Sequence, residues 1–155
     1  MISCQQNSIK FNEVILDNDI INSVFLQNIN EPEKALLSGY LFAYGNECVP
    51  SSTSAKCKIL KELKLENECE EQHKVFINKW FKKVVLMKHK LQKCPNLPLT
   101  FAIQNTFEKI VMSRVSDTIT ITFRIKGINE SQEKNWDLEQ TDSYFINEGV
   151  FKKVN

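Results

Sequence analysis

The clearest pattern in the chain lies at residues 118–126, where Ile119, Ile121, Phe123 and Ile125 alternate with Thr118, Thr120, Thr122, Arg124 and Lys126. A period of two puts the apolar set on one face and predicts a half-buried antiparallel strand. Residues 107–115 precede it through a turn at Ser116-Asp117, and residues 134–141 follow after a polar loop. Residues 143–147 are set to pair with 150–154 around Glu148-Gly149. Earlier in the chain the period is helical. Leu36, Leu37, Tyr40, Leu41 and Tyr44 form a stripe behind Asn30-Glu31-Pro32-Glu33, where Asn30 is a candidate cap and Pro32 suits a first turn. Glu33 has capping-box spacing, and Gly45 is a left-handed stop. A serine-rich loop over 46–55 leads to a short helix marked by Cys57, Leu60 and Leu63.

The longest periodic segment runs from Glu70 to about Lys93. On a helical wheel Phe76, Ile77, Trp80, Phe81, Val84, Met87 and Leu91 share one side, and Lys79, Lys82, Lys83, Lys90 and Lys93 gather on the other. Residues 1–10 read as a tether, followed by a short strand or helix carrying Val14-Ile15-Leu16 and Ile20-Ile21 that docks on the core. Helices grouped before strands predict an α+β fold: a helical amino-terminal half packed on a carboxy-terminal antiparallel β-meander, as one domain over 1–155.

Composition adds limits. With 155 residues, 42% of them hydrophobic, the chain can build a core without a metal or a dense disulfide framework. A formal charge of +1 argues against a nucleic-acid binder relying on bulk electrostatics, and no apolar run approaches the roughly 18 residues of a membrane helix.

Of five cysteines, Cys4 stands apart in a polar segment, whereas Cys48, Cys57, Cys69 and Cys94 flank helix ends. None of their spacings is CxxC, so two disulfides in an oxidising compartment are expected rather than zinc. If one continuous helix separates Cys69 from Cys94, it holds them about 35 Å apart, beyond bonding reach. The pairings are then Cys48 with Cys69 and Cys57 with Cys94, or Cys48 with Cys94 and Cys57 with Cys69. Only a break near Val84-Val85 restores Cys48 with Cys57. Met1-Ile2-Ser3-Cys4 resembles the end of a bacterial lipobox. That resemblance to bacterial lipoproteins implies a signal segment ending at Ser3, acylation of Cys4 and, with Gln5 in place of Asp, transfer to the outer membrane. The expected location is the periplasm or the outer membrane.

Candidate chemistry is sparse. His73 lies four residues after Cys69, a possible thiol–base or metal half-site, but it falls on the apolar side of the wheel, where a packing histidine is commoner. His89 points away from that side. Four glycines, Gly39, Gly45, Gly127 and Gly149, form no phosphate loop, and neither a cofactor nor a metal is expected. Trp136, Tyr144, Phe145 and Phe151 are expected mostly in the core. The organised polar feature is the lysine face, suited to diffuse attraction because only Arg114 and Arg124 among 20 basic residues are arginine. The expectation is a non-enzymatic envelope protein that binds a protein partner, an immunity protein or inhibitor blocking an acidic toxin or hydrolase. A small envelope hydrolase using Cys69 or His73, or a pair of carboxylates distant in sequence, and a structural lipoprotein are the alternatives, and the membrane is reached only through Cys4.

Overall fold

In the computed structural model, residues 9–48, 52–65, 70–92 and 103–154 are described. The fold is α+β. Six antiparallel strands form one sheet in the order β2-β1-β3-β4-β5-β6: β1 (Lys10–Asp17), β2 (Ile20–Ile21), β3 (Ile103–Val115), β4 (Thr118–Asn129), β5 (Lys134–Asn147) and β6 (Val150–Val154). The helices α1 (Ser23–Gln27), α2 (Glu31–Ala43), α3 (Ala55–Glu62), α4 (Glu71–Phe81) and α5 (Val85–Gln92) come between β2 and β3. None among the described residues is long and apolar enough to cross a membrane.

The alternation in β4 does what its period requires. Ile119, Ile121, Phe123 and Ile125 are all buried against the helical layer, together with Phe107, Ile110 and Met112 of β3. From the helical side Leu36, Leu37, Tyr40 and Leu41 of α2 meet Ile77, Trp80 and Phe81 of α4 in the same cluster. Gly39 makes this approach possible, because a Cβ there would lie 2.3 Å from Phe81 Cε2.

Four expectations need correction. The segment 70–93 is not one helix: α4 ends at Phe81 and α5 begins at Val85. The amide of Val84 donates to Phe81 O, three residues back, and the β-branched pair Val84-Val85 marks the break. The apolar side still turns inward throughout, since Ile77, Phe81, Val84, Met87 and Leu91 are buried. With the helix broken, the pairing excluded by a continuous helix is the one found: Cys48 and Cys57 are bonded, S–S 2.10 Å. Pairing of Cys48 with Cys69 or Cys94 is thereby overturned; Cys4, Cys69 and Cys94 lie outside the described residues.

The segments 134–141 and 143–147 are a single strand, because β4 is long enough to pair with Lys134 through Phe145 without a register shift. The capping box is also absent. Asn30 makes no side-chain cap, and Glu33 turns inward to Arg114. The hairpin at Glu148-Gly149 is as expected, with φ of 52° and 76° at its two central positions. The amino-terminal strand β1 pairs with β3, so the sheet draws an edge from the helical half.

Candidate functional site

Lys79, Lys82 and Lys83 are exposed where α4 turns into α5. Between and beside them stand Val75, Val85 and Leu86, with exposures of 60%, 82% and 53%. The break in the helix accounts for this mixture. It puts Lys82 and Lys83 in the turn between the helices, next to Val85 and Leu86 at the start of α5. Lys90 is half-buried, and its ammonium lies 4.6 Å from the centroid of the Tyr44 ring, a cation–π contact that ties it to α2. Lys93 is outside the described residues.

The densest polar chemistry is internal. Tyr40, in the last turn of α2, donates its hydroxyl proton to Asp142 Oδ2 of β5 at 2.6 Å, and the Tyr144 oxygen lies 2.5 Å from the Tyr40 oxygen. A phenol has one proton to give, so Tyr144 donates to Tyr40. Gln140 Nε2 also donates to Asp142 Oδ2, at 2.6 Å, and Lys153 Nζ of β6 donates to Asp142 Oδ1 at 2.8 Å. The spacing is that of the secondary structure: Gln140, Asp142 and Tyr144 share one face of β5, and Tyr40 and Tyr44 sit one helical turn apart with stacked rings 5.9 Å between centroids. Burial pushes the Tyr40 hydroxyl far above the ordinary tyrosine range, with the charges of Tyr144 and Asp142 adding to it. Burial and then Asp142 likewise raise Tyr144, and burial raises Tyr44. For Asp142 burial works upward, but the hydrogen bonds from Lys153, Tyr40 and Gln140 outweigh it and hold the carboxyl below its ordinary value. A carboxylate held ionised by three donors is a weak base, and phenols raised this far are poor proton donors near neutrality. The cluster therefore reads as a polar bolt between helix and sheet.

A second buried pair joins Glu33 of α2 to Arg114 Nη1 of β3, and Arg114 Nε also donates to Ser116 O at 2.8 Å. Glu33 Oε2 has no hydrogen-bond partner among the described residues. Lys56, only 4% exposed, donates to Tyr44 O and Asn46 O, closing the carboxy-terminal end of α2. Among the histidines, His73 is half-buried and His89 exposed, and no group of His, Cys, Asp and Glu suited to a metal occurs among the described residues. A shallow groove of about 370 Å³ crosses the helix-free face of the sheet between Lys109, Thr122 and Glu139.

The sequence reading missed the tyrosine–aspartate bolt, although Tyr40 and Tyr44 at helical spacing on an apolar face were its visible half. Of the sheet aromatics, Tyr144 and Phe151 are in the core, whereas Trp136 and Phe145 are exposed by 38% and 43%. Comparisons with protein-family models, curated proteins and solved structures give no match.

Proposed function

We propose that this chain is a non-enzymatic interaction protein of the bacterial envelope, an immunity protein or inhibitor that binds and blocks a secreted toxin or hydrolase with an acidic surface. The observation that carries the reading is the α4–α5 corner, where Lys79, Lys82 and Lys83 surround the protruding Val85 and Leu86. Val85 at 82% exposure and Leu86 at 53% are adjacent, so the lysines stand beside a small apolar patch. A docking face gains from both kinds of side chain: lysines steer an acidic partner, and the apolar pair supplies contact area once docked. The Cys48–Cys57 bond supports an oxidising compartment, and acylation of Cys4 would hold the protein at the membrane.

The test is a pull-down from envelope extracts with the Cys4-anchored protein, followed by binding of the captured partner to the K79E/K82E/K83E variant. Steering acts over a Debye length of about 8 Å at physiological salt, so association should slow as salt rises. The variant should bind about tenfold more weakly, on the order of 1.4 kcal/mol, with folding nearly unchanged. Equal binding by parent and variant would reduce the corner to a solvated surface.

A further inference from the structure

The sheet has one long side along which no described strand pairs. β5 is 14 residues long, and on one side it pairs with β4 from Lys134 to Phe145. On the other side β6 reaches only Ser143 to Asn147, and no strand among the described residues pairs with 134–142 there. That leaves about 30 Å of strand at roughly 3.4 Å per residue. Native edges of this length are usually interrupted by a proline, a bulge or inward-pointing charge. Over 134–141 this one contains no proline or inward-pointing charge and keeps an unbroken register with β4, the inward Asp142 standing only at the end next to β6; Trp136 and Leu138 alternate on one face with Asp137 and Glu139 on the other.

We propose that the open edge of β5 at 134–142 accepts an added strand from a partner, an extended segment in which basic and apolar residues alternate. Backbone pairing gives such a complex its affinity, and alternate side chains give it specificity. In an antiparallel addition the side chains opposite Asp137 and Glu139 must be basic, and those opposite Trp136 and Leu138 apolar. The acids are available for this. On the β4 side Lys126 stands opposite Asp137 and Arg124 opposite Glu139, but the ion pair within reach there, Arg124 with Asp137 at 3.8 Å, is exposed and contributes little, which leaves the acids open toward the edge.

Trp136 supplies a preset anchor. Its indole lies flat on the backbone of Gly127, where a Cβ would come within 1.8 Å of Trp136 Cε2, and its Nε1 donates to Asn105 Oδ1 at 3.1 Å. Asn105 is itself fixed, its amide donating to Asn46 Oδ1 at 2.6 Å. An aromatic held this firmly and still 38% exposed loses little side-chain entropy when a partner covers it. A second copy of the chain is a poor occupant. Pairing the edge with itself about a dyad through Leu138 sets Asp137 against Glu139 on both sides, and like charges directly opposite are destabilising.

This edge shares no residue with the lysine corner, so the two can be tested by separate substitutions. The probe is a synthetic peptide of the edge's length alternating Lys and Val, compared with one alternating Glu and Val. Binding is read by Trp136 fluorescence and by amide hydrogen exchange. The Lys/Val peptide should bind about tenfold or more tightly than the Glu/Val peptide and protect amides 134–142. D137N/E139Q, which removes charge without adding repulsion, should erase the preference, D137K/E139K should reverse it, and K79E/K82E/K83E should leave it intact. Failure of the Lys/Val peptide to bind, or binding indifferent to D137N/E139Q, would overturn the proposal. So would protection confined to other amides, or concentration-dependent protection of 134–142 without peptide, which would make a second copy the occupant.

Discussion

The hydroxyl of Tyr40 lies 2.6 Å from Asp142 Oδ2, joining the last turn of α2 to β5 across 102 positions of sequence. Apolar side chains could pack here in several registers, but this bond has one. Sliding α2 by a turn would leave Asp142, which is 8% exposed, without one of its three donors and would strand two phenols in the core. The bolt therefore specifies how the helical layer sits on the sheet, while the surrounding leucines and isoleucines supply the bulk of the burial.

Removing either end of the bolt should therefore have unequal costs. Y40F deletes one hydroxyl, leaves Asp142 two donors, and should lower stability by about 1–2 kcal/mol in urea unfolding. D142A takes the shared acceptor from Tyr40, Gln140 and Lys153 at once and opens a void, so a loss of about 3 kcal/mol is expected. Equal, negligible losses from both would show that the cluster is incidental.

The same cluster sets the pH dependence. All three tyrosines of the chain, Tyr40, Tyr44 and Tyr144, have hydroxyls raised above their ordinary value of 10.0. A raised folded value stabilises below the unfolded value, so this contribution is complete below about pH 10 and is lost as the pH climbs further. Asp142 runs the other way. Its folded value lies below 3.8, so its contribution is present above that pH and is lost as the pH falls further. Spectrophotometric titration should show phenolate formation in the native protein delayed beyond pH 10, with the Tyr40 and Tyr144 signals appearing on alkaline unfolding. Y40F should flatten the alkaline limb of stability against pH.

Much of this was legible in the sequence and some of it could not have been. The alternation over Thr118–Lys126 and the stripe from Leu36 to Tyr44 mark their elements because each has one wet face and one dry face. The end of β5 is harder to read, since Trp136 and Leu138 look like core positions but lie where the helical layer does not reach. The break at 82–84 leaves the apolar stripe of α4 and α5 in phase, so periodicity cannot see it. Glu33 has the spacing of a cap and the partner of a core residue; only the fold brings Arg114, 81 positions away, to meet it.

That buried pair makes a further prediction. R114M removes the partner of Glu33, a residue 1% exposed with one carboxylate oxygen already lacking a hydrogen bond, and should cost about 3–5 kcal/mol. E33L/R114M replaces both charges with apolar side chains of similar size and should recover most of that loss. A double variant as unstable as the single one would mean that Arg114 acts mainly through Ser116 O and the turn after β3.

The Cys48–Cys57 bond closes a loop with a sequence separation of 9, between the end of α2 and the first turn of α3. Chain-entropy arguments give such a loop about 2–3 kcal/mol. Non-reducing peptide mapping should recover Cys48 linked to Cys57, and C48A/C57A should unfold at correspondingly lower urea. Recovery of Cys48 linked to any other cysteine would contradict the arrangement of α2 and α3.

Gly127 offers the sharpest separation of stability from binding. Alanine is ordinarily better than glycine inside a strand by roughly 0.5–1 kcal/mol, because it restricts the unfolded chain. At Gly127 the added Cβ would meet the Trp136 indole at 1.8 Å, and since Trp136 stands at an open edge, the ring can swing outward instead of forcing the backbone apart. Stability should then change little, the two effects offsetting each other, while the hydrogen bond from Trp136 to Asn105 is broken. The displaced indole enters water, so its fluorescence should shift to the red, a change separable from Trp80, which is 4% exposed. Because the anchor is no longer preset, affinity for the Lys/Val peptide should fall about tenfold in the same variant. An unshifted spectrum with unchanged peptide binding would mean that Trp136 is not seated on Gly127 in solution, and that the edge has no fixed aromatic platform to offer.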